Sequence, residues 1–143
     1  MTDHTQHAGA RPLRQKPESL RFRTISPALT VADFRASVAW YTEVLGLVVD
    51  ETWQHEGEEL GAMFKAGDTH LMIVQGNTEG QGKVKGEGLR LYCSTAQDID
   101  ELAANITARG GTLATQPRDM PWGTRSFSVE DPDGYKLTIS SLK

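Results

Sequence analysis

A spacing of 65 residues recurs along this chain, and it restricts the fold to something built twice. Thr30-Val31-Ala32-Asp33 precedes an apolar stripe of Phe34, Val38, Tyr41 and Leu45, and Gly46 follows. Thr95-Ala96-Gln97-Asp98 precedes Ile99, Leu102, Ala103 and Ile106, and Gly110-Gly111 follows. Thr30 and Thr95, Asp33 and Asp98, and Gly46 and Gly111 all stand 65 positions apart. An oxygen acceptor, then apolar residues at helical period, then glycine is how a capped helix is written. Thr30 or Asp33 can hold the first orphan amides, and Glu101 can add a reciprocal bond at Asp98. Residues 20–29 alternate loosely and read as a strand, as do residues 89–94. Gly67-Asp68 and Pro132-Asp133, again 65 apart, mark tight turns leading into apolar strands at 71–74 and 137–139. Each half therefore reads as strand, helix, then about three strands.

With 143 residues, one well-buried core is attainable and two ordinary domains are not. Residues 1–19 lack hydrophobic periodicity and read as a flexible N-terminal extension. Residues 20–143 read as a single α+β domain: module one at about 20–75, a linker at 76–88 holding five glycines, and module two at about 89–143. Each half would leave one sheet face uncovered, so pairing them buries that face or leaves a cleft. Residues 1–24 carry five basic and two acidic residues, against ten basic and seventeen acidic in the remainder. An acidic body disfavours nucleic acid and favours neutral or cationic small molecules. No apolar run approaches the ~20 residues that span a bilayer, and no leader pattern is present, so a cytoplasmic protein without a membrane partner is expected. The lone Cys93 fits a reducing compartment and reads as a small buried hydrophobe.

Two stretches carry a resemblance. The first is Val31-Ala32-Asp33-Phe34-Arg35-Ala36-Ser37-Val38-Ala39-Trp40-Tyr41, followed by Val44-Leu45-Gly46-Leu47. The second is Pro121-Trp122-Gly123-Thr124-Arg125-Ser126-Phe127, running into Asp131-Pro132-Asp133-Gly134-Tyr135. Together they resemble the vicinal oxygen chelate superfamily, which includes glyoxalase I, extradiol dioxygenases, epimerases and bleomycin resistance proteins. The resemblance covers residue 22 to the C-terminus. It implies paired βαβββ modules forming a curved mixed sheet around a cleft, often as a dimer. Such a fold hosts unrelated chemistries, so function must come from the site. Metal-dependent members resemble one another in four inward-facing ligand positions, two per half, filled by His and Glu. Carried over, those positions are Ser26, Ile73, Leu91 and Thr138. Two aliphatic side chains cannot ligate, and two neutral hydroxyls ligate weakly. A cleft without metal or other cofactor is therefore expected, and no catalytic residue is assigned.

The histidines do not repair that set. Strand alternation puts His70 on the side opposite Ile73, His55 falls in the acidic loop Gln54-His55-Glu56-Gly57-Glu58-Glu59, and His4 and His7 lie in the extension. What remains suits binding. Trp53 and Trp122 could stack on a planar ligand or belong to the core. Arg125 could pair with a ligand carboxylate or phosphate, or with an acidic neighbour such as Glu130. Ile73 and Leu91 would make an apolar floor marked by Ser26, Cys93 and Thr138. Neither a nucleophile triad nor a phosphate-binding glycine loop is indicated. The expected function is metal-free sequestration of an aromatic or cationic ligand, as the bleomycin resistance branch implies. The alternatives are a metal-dependent lyase, isomerase or dioxygenase with non-standard ligands, and an interaction module using its basic tail.

Overall fold

The computed structural model describes residues 19–76 and 86–142. The expected extension, apart from Ser19, and most of the glycine linker lie outside the described residues. The first module runs β1 (Ala28–Val31), α1 (Phe34–Ala39), β2 (Val48–His55), β3 (Glu58–Ala66) and β4 (Thr69–Gln75). The second runs β5 (Arg90–Ser94), α2 (Ile99–Ala108), β6 (Leu113–Asp119), β7 (Thr124–Glu130) and β8 (Lys136–Leu142). They form two four-stranded sheets, ordered β1-β4-β3-β2 and β5-β8-β7-β6. β1 with β4 and β5 with β8 are parallel, and the other pairs are antiparallel. These are the paired βαβββ modules expected. Among the described residues no helix is long and apolar enough to cross a membrane.

The helix starts follow from local chemistry. Asp33 accepts the Ala36 amide at 3.1 Å, and Asp98 accepts the Glu101 amide at 2.9 Å. After Ala39 the first helix widens into a turn with five-residue spacing over Trp40–Val44, where the amides of Leu45 and Gly46 bond the carbonyls of Trp40 and Tyr41. Gly46, at φ +96°, then leaves in a conformation that side chains disfavour. The first strand is shorter than expected, because residues 20–27 are not part of a ladder. β1 pairs with β4 only from Ala28 opposite Met72, with the Pro27 carbonyl accepting the Met72 amide at 2.9 Å.

Both helices pack on the same side of their sheets. Leu29, Val31, Ala62, Phe64, Leu71, Ile73, Phe127, Val129 and Leu137 are buried there beneath Phe34, Tyr41, Ile99, Ala103 and Ile106. Strand alternation sends the intervening side chains to the other face, which neither α1 nor α2 covers.

The modules are joined by the 131–135 turn. Asp131, 5% exposed, accepts the Tyr41 hydroxyl at 2.6 Å through Oδ2. Its Oδ1 accepts the amides of Asp133 and Tyr135 at 2.9 and 2.8 Å. Asp133 accepts the Ala32 amide at 3.0 Å, and the Tyr135 hydroxyl donates to the Thr30 carbonyl at 2.9 Å. At the opposite helix ends, Arg109 Nε donates to the Val44 carbonyl at 3.0 Å.

Candidate functional site

The bare faces of the two sheets form the candidate site, and their chemistries differ. In the first sheet the pairs Met63–Met72 and Gly61–Val74 place two thioethers and a valine on that side. Trp53 pairs with Gly61, and its indole occupies the space a Gly61 side chain would need. Glycine is required at this position by close approach. His70 shares this side, with Nε2 3.3 Å from Asp50 Oδ2.

The second sheet is lined by hydroxyls. Tyr92 pairs with Thr138, Ser94 with Ser140, and Ser128 with Thr138. Tyr92 donates to Ser140 at 3.3 Å, and Thr115 and Ser128 share a bond of 2.8 Å. Thr124 Oγ1, on the same parity as Ser126 and Ser128, is buried without a hydrogen-bond partner. One sheet therefore offers an aromatic and thioether surface, and the other a row of short hydroxyls.

Several expected site residues face the other way. Ile73 is fully buried among the helix-side core, and Leu91 and Cys93 pack against that core. None of the three forms a cleft floor. The side chains on the bare side of β4 and β5 are instead Met72 and Tyr92, each one residue away from the expected position. Burial pushes the Cys93 thiol above its ordinary value, in keeping with an inert packing role. Ser26, half-buried, lies just ahead of β1, and Thr138 remains on the bare side. Trp122 is exposed in the β6–β7 connection. His55 sits at the β2–β3 hairpin end, 3.9 Å from Glu56.

Arg125 is committed to structure, and not through Glu130. It donates twice to Asp100 of α2, both bonds 2.8 Å, and once to Asp119 of β6 at 3.0 Å. The hydrogen bonds from Arg125 hold the Asp100 carboxyl below the ordinary aspartate range. Such a group contributes stability above the unfolded aspartate range and loses it as pH falls through the lowered folded value. Arg125→Met is accordingly expected to lower the melting temperature by a few degrees at neutral pH and to flatten this part of the acid limb. Thermal melts of both proteins from neutral to strongly acidic pH check this; parallel curves would refute it.

A cavity of about 460 Å³ lies away from the bare faces, at the start of α1. Gln75 in its wall is already satisfied, accepting the Phe34 amide and donating to the Ala32 carbonyl, each at 2.8 Å. Its remaining polar lining is mainly the exposed Asp33, Arg35, Glu58 and Glu59.

Two βαβββ modules, each with a helix on one face of its sheet and the other face left bare, define the class of fold. A model of the Glyoxalase/Bleomycin resistance protein/Dioxygenase superfamily matches residues 23–139, and the chain belongs to that superfamily. A probable lactoylglutathione lyase of Vibrio parahaemolyticus is 28% identical over 126 residues, covering 85% of this chain and 91% of that protein. Among solved structures, TioX from Micromonospora sp. ML1 superposes with a TM-score of 0.67 at 20% identity, covering 84% of this chain and 96% of that one. A glyoxalase-related enzyme from Clostridium phytofermentans gives a TM-score of 0.69 at 17% identity, covering 89% and 100%. Those two likenesses establish the fold alone.

Proposed function

We propose that the cleft binds an aromatic or cationic small molecule without a metal ion. The observation that carries this reading is the donor set on the bare side of the two parallel pairs, β1 with β4 and β5 with β8. β1 presents Ala28 and Thr30, β4 presents His70, Met72 and Val74, β5 presents Arg90, Tyr92 and Ser94, and β8 presents Lys136, Thr138 and Ser140. This row holds one imidazole, and the one carboxylate that reaches it is Asp50 of β2, whereas a zinc or nickel site with an open position needs about three strong ligands. No three His, Cys, Asp or Glu side chains converge as a metal site among the described residues. The residues present do not fit the His and Glu set of metal-dependent members. Trp53, Met63 and Met72 suit a planar apolar ligand, and the excess of acidic residues suits a cationic one.

The likeness to lactoylglutathione lyases favours the second reading, a metal-dependent enzyme. Native mass spectrometry after incubation with zinc, nickel, manganese or anaerobic ferrous iron separates the two. The expected spectrum retains no stoichiometric ion, and the protein forms no lactoylglutathione. One tightly held ion per chain with turnover would sink the metal-free reading. The same spectrum tests a proposed homodimer, for which Val48, Tyr92 and Leu142, 65%, 57% and 81% exposed, supply apolar contact surface.

A further inference from the structure

We propose that His70 is a proton-accepting group of the cleft, positioned by Asp50, and that the ligand is a planar aromatic molecule carrying an acidic proton. The proposal rests on the reading of the bare sheet faces as a ligand cleft. Three features support it. β2 carries an extra residue between Val49, which pairs with Phe64, and Glu51, which pairs with Met63. That residue is Asp50, and bulges of this kind re-aim a side chain. β3 separates β2 from β4, yet Asp50 Oδ2 reaches to 3.3 Å from His70 Nε2. Leu71 and Ile73 point into the core, so alternation places His70 on the bare side beside Met72.

The pair is open to a ligand, with the His70 side chain 36% and the Asp50 side chain 48% exposed. A carboxylate facing Nε2 favours the tautomer with its proton there and leaves the lone pair on Nδ1. Lys65, opposite His70, and Glu51, opposite Met63, are the nearest other charged groups in the register on this side, with His55 and Glu58 farther along at the hairpin end. The aromatic platform of Trp53 over Gly61 lies four β3 residues from Lys65, roughly 13 Å along the strand. A planar ligand held near the imidazole lies within reach of the indole only if it is elongated along β3. Its acidic X–H bond breaks, the electron pair stays on X, and the proton forms an N–H bond at Nδ1. The resulting imidazolium is then paired with Asp50.

The probe is 5-nitrobenzisoxazole, a planar C–H acid. His70 would take the C3 proton, the C–H pair would become the third bond of a nitrile, and the N–O bond would break to release a coloured phenolate. Turnover by the intact protein is expected to exceed that of His70→Gln by about 100-fold. Asp50→Asn is expected to fall between them and to shift the His70 tautomer ratio in long-range proton–nitrogen spectra. Equal rates for the wild type and His70→Gln, or an Nδ1–H tautomer in the wild type, would overturn the proposal. Probe binding is followed separately, by tryptophan quenching that is lost in Trp53→Phe. Binding without turnover sinks the proton acceptor and leaves the cleft standing. No quenching at millimolar probe counts against both.

Discussion

Asp131→Ala is expected to cost on the order of 4 kcal/mol of folding free energy and about 10 °C of melting temperature. One carboxylate satisfies the Tyr41 hydroxyl and two backbone amides, and it joins residues 90 positions apart in different modules. Alanine would leave all three donors without this partner at a largely buried position. Asp131→Asn should be milder, since its amide oxygen can still accept both backbone N–H groups. Burial raises the Asp131 carboxyl above the ordinary aspartate value, opposed by the bonds from Tyr41, Tyr135 and Asp133. With the folded value above the unfolded one, the unfolded chain releases its proton first as pH rises. The stability linked to this proton is complete below the ordinary aspartate range and is lost as pH climbs through the raised folded value. Asp131→Asn does not titrate there, so its deficit relative to the wild type should shrink across that window. Urea unfolding of both proteins from acidic to neutral pH measures it. A deficit that grows with pH would contradict the linkage, and an unchanged melting point for Asp131→Ala would remove the latch.

Features written in local chemistry were legible in the sequence. Asp33 and Asp98 cap their helices because an acceptor one residue before an apolar stripe has little else to do. The second helix end shows where a strict offset fails. Gly110, at φ +95°, takes the left-handed role, while Gly111 is held close to Ile106 and Val44. The same failure decides the site. Residues 71–74 are apolar on both faces, so period two shows alternation without showing which parity meets the helix. A strict 65-residue offset carries Thr138 onto Ile73, but the two modules differ in turn length. β3 and β4 are joined by two residues, Gly67 and Asp68, whereas β7 and β8 are joined by residues 131–135. Thr138 therefore matches Met72, facing Tyr92 and Ala28 in equivalent parallel ladders. Neither the Asp50–His70 pair nor the Tyr41–Asp131 bond could be read this way. The first depends on a bulge crossing a strand, and the second on contact between modules.

The one-residue slip can be tested by placing a carboxylate at each position in turn. Ile73→Glu is expected to destabilise by at least about 4 kcal/mol, enough to leave little folded protein. Ile73 is 0% exposed among Leu29, Phe64 and Leu71, with no cation there to pair a charge. Met72→Glu should cost far less, since its side chain is half-buried on the face no helix covers and water can reach a carboxylate there. Circular dichroism melts of the two variants give the answer. Loss of fold at 73 and its retention at 72 mean that the cleft row is Met72, Tyr92 and Thr138. The reverse would put Ile73 on the cleft and Met72 in the core, and the donor set behind the metal-free reading would have to be redrawn. Because the shift moves every side chain of β4 to the opposite face, it also decides the second proposal. His70 faces a ligand only in the register where Met72→Glu folds. A folded Met72→Glu that abolishes Trp53 quenching by an aromatic probe would place the thioether, the indole and the imidazole on one binding surface.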